Sequence, residues 1–257
     1  MGAIPSARAE KLSCNAFRAQ GRSYIQHFCD NQRMGNLYLV RHGQASFGAV
    51  DYDNLSELGH KQSVKLGEHF REAGVTFDAV ITGTLKRHVQ TWQGIARGMQ
   101  RDDTDVLAWP GLNEYDPVAI IAAIHSEPLH VPTTPEQVKG HFRLLRDGLA
   151  AWMRGKTEPV GMPKYVDFLA GVTSALDHVR MNHFGKNVLI VSSGGPISTA
   201  VGHVLGASPE TTIELNLRIR NSALSEFAFT PKRHVLVSYN SVPHLDAKAE
   251  SGWVTYA

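Results

Sequence analysis

Short apolar segments rich in Val, Ile and Leu alternate along this chain with longer segments of helical periodicity. Polar or glycine-bearing turns follow the apolar segments. This alternation predicts an α/β fold, a three-layer α/β/α sandwich around a mostly parallel sheet. In such sheets ligand crevices open beyond the C-terminal ends of the strands, so the turns after the strands are where chemistry is sought.

The first strand is expected at Asn36-Leu37-Tyr38-Leu39-Val40, which runs into Arg41-His42-Gly43 and then the polar loop Ala45–Leu55 with Asp51, Asp53 and Asn54. Ser56 is placed to cap a helix in which Leu58, Val64, Leu66 and Phe70 recur at helical spacing, and Gly74 supplies a stop. Phe77–Thr82 reads as the second strand. Lys86–Met99 reads as a helix with Val89, Trp92, Ile95 and Met99 on one face. Val106–Trp109 predicts a further strand, ended by Pro110-Gly111. From Asp116 to Pro163 helical pieces are broken by Pro117, Pro128, Pro132, Pro135 and Pro159. That stretch reads as an insertion at about 116–163, laid over the ligand edge and suited to substrate selection. Residues 164–183 predict a helix through Val166, Leu169, Val172, Leu176 and Val179. Val188–Val191 predicts a strand, followed by Ser192-Ser193-Gly194-Gly195-Pro196 and a helix to Leu205. Leu224–Phe229 and His234–Tyr239 are β-rich.

A chain of 257 residues suits one sizeable domain with an insertion. Its hydrophobic content of 42% and charged content of 19% are ordinary for a globular protein. A net charge of +2 and scattered arginines argue against a nucleic-acid partner, and no apolar run approaches the roughly 18 residues of a membrane span. Cys14 and Cys29 both precede the first strand, with neither a disulfide framework nor metal-ligand spacing, so a cytoplasmic, reducing location is expected. Residues 1–33 are Arg-rich and acid-poor with little hydrophobic periodicity. They read as an N-terminal extension: a start upstream of a natural Met34, a tail without fixed structure, or a mitochondrial targeting segment. Residues 34–257 then form the single domain.

Four turns carry the reactive side chains. Arg41 offers a planar fork of donors for phosphate oxygens, and His42 a nucleophile that is partly neutral near pH 7. Thr82-Gly83-Thr84-Leu85-Lys86-Arg87 sets hydroxyls and Arg87 at a helix start, where free N–H groups favour an anion. Leu112-Asn113-Glu114-Tyr115-Asp116 brings carboxylic acids, with Asp116 the alternative to Glu114 for acid work. Ser193-Gly194-Gly195-Pro196 opens another helix, and its glycines admit a ligand close to the backbone. A serine nucleophile is not expected, because no His-Asp pair stands ready in the sequence to activate Ser193. His60, His69, His125, His130, His141, His178, His183 and His203 are spread out and read as surface or packing residues, with no metal site.

The segments LVRHGQ (Leu39–Gln44), LSELGHKQ (Leu55–Gln62), TGTLKRHVQT (Thr82–Thr91), LNEYD (Leu112–Asp116) and VSSGGPI (Val191–Ile197), in this order, are together a specific signal. Over about Asn36–Leu245 the chain resembles the histidine phosphatase superfamily, the phosphoglycerate mutase-like proteins. The resemblance implies that His42 attacks the substrate phosphorus, Arg41 and Arg87 clamp the phosphoryl oxygens, and Glu114 serves as general acid. Ser193 and Gly194 would complete the phosphate site. It implies no metal or other cofactor, since two arginines and a helix N-terminus can neutralise the transferring group. The partner implied is a small phosphorylated substrate or a phosphoprotein.

Two departures stand out. The superfamily's second histidine, in a Ser-His-Gly-Gly turn, is Ser193 here, a shorter and uncharged donor. Losing a charged preorganised donor commonly costs about 3–4 kcal/mol of transition-state stabilisation, so reduced activity is expected unless His88 or His244 reaches in. Mutase-like branches also continue from the first motif into Trp-Asn, where Ala45-Ser46-Phe47-Gly48 stands here. Hydrolysis is therefore expected over mutase-type transfer, and the rival from another class is a catalytically weak module that binds a phosphorylated ligand.

Overall fold

The computed structural model describes residues 34–46, 53–101, 105–127, 133–246 and 252–256. The extension 1–33 and the loop residues Asp51, Pro128 and Pro132 lie outside the described residues. A six-stranded sheet runs in the order β3-β2-β4-β1-β5-β6, with β1 at Gly35–Arg41, β2 at Ala79–Thr82, β3 at Val106–Ala108, β4 at Asn187–Ser192, β5 at Leu224–Phe229 and β6 at His234–Ser241. Strands β1 to β4 are mutually parallel, and β5 and β6 are antiparallel additions at one side. The expected three-layer architecture is present.

Side-chain alternation along the central strands produces the layers. Leu37 and Leu39 of β1, Ile81 of β2, and Val188 and Ile190 of β4 enter one large core. Val40, Val80, Leu189 and Val191 point to the opposite face and a smaller core. Two helices supply that smaller core: α1 (Glu57–Glu72) through Leu66 and Phe70, and α2 (Lys86–Met99) through Trp92, Ile95 and Met99. The larger face is covered by α3 (Pro117–Ala122), α4 (Pro135–Met153), α5 (Tyr165–Asn182), α6 (Gly194–Leu205) and α7 (Pro209–Leu217).

Local chemistry explains the helix ends. Ser56 accepts the N–H of Gly59, and Gly74 follows α1 with φ +67°, a conformation glycine adopts without a Cβ penalty. Thr134 and Gln137 form a reciprocal capping box at the start of α4. Pro117 and Pro135 begin helices instead of breaking them, because each sits in a first turn whose N–H has no helical partner. Ile120, Ile121, Leu145, Leu149 and Trp152 from this stretch join the larger core. Among the described residues no helix is long and apolar enough to cross a membrane.

Two inward positions differ from expectation, and one further helix is present. Val89 is 39% exposed, and the buried face of α2 is instead Arg87, His88, Thr91, Trp92, Ile95 and Met99. On α5, Val166 is exposed and Phe168 takes the inward position. Helix α7 is an element that apolar periodicity does not announce, since only Thr212 and Ile213 of its residues are buried.

Candidate active site

Parallel register brings the ends of β1, β4 and β2 to one edge. Arg41 pairs with Ser192, and Thr82 with Val191. The backbone continues this alignment by one residue: His42 N–H donates to Ser192 O at 2.9 Å, and Gly83 N–H to Val191 O at 3.1 Å. His42, Gly83 and Ser193 thus emerge side by side. The turn after β3 is tied to them by Ser192 Oγ–H, which donates to Leu112 O at 2.7 Å and brings Asn113 and Glu114 to the same edge. Asn113 holds the β2 turn, accepting from Thr84 N at 2.7 Å.

His42 is 3% exposed, and its tautomer follows from its neighbours. Nδ1 lies 2.7 Å from Gly43 O, a group that can only accept, so Nδ1 carries the proton. Nε2 accepts from Arg87 Nε at 3.2 Å, so its one lone pair faces the Arg87 guanidinium. Burial pushes the pKa of His42 well below its ordinary value, and the positive charges of Arg41 and Arg87 add to this, against the Gly43 hydrogen bond. The imidazole is neutral and nucleophilic at Nε2. Behind it, Gly43 N–H donates to Thr91 Oγ1 at 3.0 Å, and a side chain at Gly43 would run into the Gly59 backbone.

Both arginines are buried and anchored by oxygen acceptors. Arg41 Nη1 donates to Ile219 O at 2.6 Å, and Arg87 Nη1 pairs with Asp53 Oδ1 at 2.7 Å. Asp53 also accepts from Lys86 N at 2.9 Å through Oδ2. The start of α2, where an anion is expected, holds the carboxylate of Asp53. Asp53 is a site residue that its polar loop had concealed.

Glu114 is oriented by the start of α6. Gly195 N–H lies 3.1 Å from both carboxyl oxygens, and Tyr115 N–H donates to Oε1 at 3.2 Å. A side chain at Gly195 would collide with Glu114 Oε1 and the Tyr115 ring, so this approach needs glycine. Burial raises the pKa of Glu114 above the usual carboxylate range, outweighing the hydrogen bonds from Gly195 and Tyr115 and the charges of Arg41 and Arg87. Asp116 does different work: its Oδ1 accepts from Val118 N and Ala119 N and caps α3.

Ser193 and His88 are both fully buried, and Ser193 Oγ lies 2.7 Å from His88 Nε2. Of the two histidines that could reach in beside Ser193, it is His88 of α2 that meets it. His88 Nδ1 has no hydrogen-bond partner among the described residues, so no acid-His-Ser triad is assembled. The rings of His42 and His88 have centroids 5.8 Å apart. His244 is engaged elsewhere, its Nε2 lying 2.8 Å from Ser222 Oγ. Gly194 begins α6 beside Arg41, Asn216 and Ile219.

Comparison with known proteins bears on this edge. The model of the histidine phosphatase superfamily (branch 1) matches residues 37–242. A 2,3-bisphosphoglycerate-dependent phosphoglycerate mutase of Bartonella quintana is 31% identical over 86 residues, 31% of this chain and 42% of that protein. A broad-specificity phosphatase of Saccharomyces cerevisiae is 26% identical over 98 residues, 35% of this chain and 43% of that protein. The aligned stretches thus span less than half the length of these curated relatives. Among solved structures, a phosphoserine phosphatase of Entamoeba histolytica in complex with 3-phosphoglyceric acid aligns with TM-score 0.60 at 22% identity, covering 82% of this chain and 100% of its own. A phosphoglycerate mutase of Bacillus anthracis aligns with TM-score 0.59 at 16% identity, covering 86% and 97%. These likenesses establish a shared fold.

Proposed function

This chain belongs to the histidine phosphatase superfamily (branch 1), and we propose that it is a metal-independent phosphatase that hydrolyses a phosphomonoester through a phosphohistidine on His42. The observation that carries the reading is the state of His42: Nδ1–H is committed to Gly43 O, and Nε2 is neutral and directed toward the edge where Arg41 and Arg87 sit. A phosphoryl group there meets a nucleophile whose tautomer is already set, and two guanidiniums to take up charge on its oxygens.

In the first step the Arg87 Nε–H turns from His42 Nε2 to a phosphoryl oxygen, and the freed Nε2 lone pair forms a bond to phosphorus as the bond to the ester oxygen breaks. Glu114 gives its proton to that departing oxygen, a role its raised pKa suits. In the second step the Glu114 carboxylate takes a proton from water, the hydroxyl oxygen attacks phosphorus, and the P–N bond breaks. Inorganic phosphate leaves, and both groups return to their starting states. Hydrolysis is preferred over mutase-type transfer because Ala45-Ser46-Phe47-Gly48 replaces the Trp-Asn pair that mutase-like branches carry. Cysteines confined to Cys14 and Cys29 support a reducing, cytoplasmic location.

A second reading, a phosphate-ligand-binding member with slow turnover, is favoured by one observation: Ser193 offers a neutral donor next to His42. One experiment separates the two. The wild type is expected to hydrolyse p-nitrophenyl phosphate, and alkali-quenched protein to carry phosphate on the peptide containing His42. His42→Ala should lower kcat by at least about 10³-fold, as loss of a nucleophile does. Turnover that survives in His42→Ala rules the mechanism out. No wild-type turnover with tight phosphate binding selects the second reading.

A further inference from the structure

We propose that His88 is a positioning residue that fixes the Ser193 hydroxyl as a donor to the phosphoryl oxygens, so that the two side chains act as one unit of the phosphate cradle. The inference rests on the phosphatase reading and deepens it. Three observations lead to it. Ser193 terminates β4 one residue beyond Ser192, whose carbonyl accepts the His42 N–H, so Ser193 and His42 leave neighbouring strands at the same level. Ser193 caps the start of α6 without using its side chain for that purpose, although serine usually bonds an N–H at such a position. Its hydroxyl instead contacts His88 Nε2 at 2.7 Å, and both residues are buried.

The direction of that bond follows from the far side of the imidazole. His88 Nδ1 is buried without a hydrogen-bond partner among the described residues. An orphaned buried N–H is rarer in proteins than an unfilled acceptor, so the proton is assigned to Nε2. His88 then donates to Ser193 Oγ, which must direct its own hydrogen elsewhere. The vacated direction is available to an anion bound at the ends of β1 and β4. A hydroxyl that accepts one hydrogen bond becomes a stronger donor of the next. Burial and the neighbouring Arg87 charge lower the pKa of His88 to about 3, so it stays neutral and keeps this polarity throughout the ordinary pH range. Gly83 makes room for the ring, since a side chain there would collide with His88 Nδ1.

The pair is tested by a double-mutant cycle on full-length protein with p-nitrophenyl phosphate. Ser193→Ala should lower kcat by about 100-fold, the low end for one preorganised donor, with KM changing less. His88→Asn, too short to reach Ser193, should lower kcat by about tenfold or more. His88→Gln, which can extend an amide N–H toward the same oxygen, should recover most of that loss. In the Ser193→Ala background His88→Asn should cost nothing further. Thermal midpoints are recorded for every variant, and a purely structural role would lower the midpoints of Asn and Gln alike without separating their kcat values. Equal kcat in folded His88→Asn and wild type, or losses that multiply in the double variant, overturns the proposal. If the wild type and His42→Ala are both inactive, it is the phosphatase reading that fails. The cycle is then read on inorganic phosphate affinity by calorimetry, where the same non-additive weakening is expected and additivity overturns the pair.

Discussion

At Glu114 two opposing influences meet on one carboxyl group. Two backbone N–H groups favour the charged form, whereas burial favours the neutral form, and burial dominates. A raised pKa keeps more of the group protonated near neutrality than an ordinary glutamate would be, which is the form a general acid needs. The sign of the pH dependence follows: the first step slows as pH rises through the Glu114 pKa and the proton is lost. Glu114→Gln should abolish this alkaline limb. It should lower kcat/KM for alkyl phosphates by about 10²–10⁴-fold, the usual contribution of general acid catalysis, and affect kcat/KM for p-nitrophenyl phosphate far less because that leaving group needs little protonation. Equal losses in kcat/KM for both ester types would reassign the proton donor.

The elements at the site are held by shared side chains. Asp53 belongs to the loop after β1, yet one of its oxygens caps α2 and the other pins Arg87. Asp53→Ala should lower stability by about 1 kcal/mol, as loss of a helix cap does. It should also raise KM for phosphomonoesters, because Arg87 loses its fixed orientation. Asp53→Asn should keep most of the cap and show a smaller KM defect, as read from urea midpoints alongside steady-state kinetics. A stability loss with unchanged KM would confine Asp53 to capping. Here the limits of sequence reading become physical. The strands and the turns holding Arg41, His42, Arg87, Glu114 and Ser193 were legible because apolar runs and glycine turns are local signals. The face of α2 was misjudged because its inward residues include Arg87, His88 and Thr91, polar side chains buried for the site. The contacts Asp53–Arg87 and His88–Ser193 join residues 34 and 105 positions apart, and only the parallel register of β1, β2 and β4 brings them together. Helix α7 stayed hidden because it contributes only Thr212 and Ile213 to the buried surface.

For the molecule as a whole, the enclosure that prepares the site makes the fold sensitive to acid. His88 and His244 are each buried, hydrogen-bonded to a serine and lowered to a pKa of about 3. His42 is lowered in the same direction. In the unfolded chain a histidine takes up a proton below about pH 6.5, whereas in the fold these rings do not. Unfolding therefore binds protons, and stability falls as pH drops from about 6.5 toward 3. At pH 5 each of His88 and His244 should cost about 2 kcal/mol relative to neutral pH, from 1.36 kcal/mol per pKa unit between the solution and measurement values. Glu114 works the other way, since its raised pKa favours the folded state on the acid side, and the histidines outnumber it. The acid loss should be visible as a lower unfolding free energy in urea at pH 5.0 than at pH 7.5. A His88→Gln/His244→Gln variant cannot take up those two protons, so its loss over the same interval should be smaller by about 4 kcal/mol. An unchanged pH slope in the double variant would mean that these rings are protonated within the fold. His88 would then be charged, and a cation would stand beside Ser193 where the neutral donor has been placed.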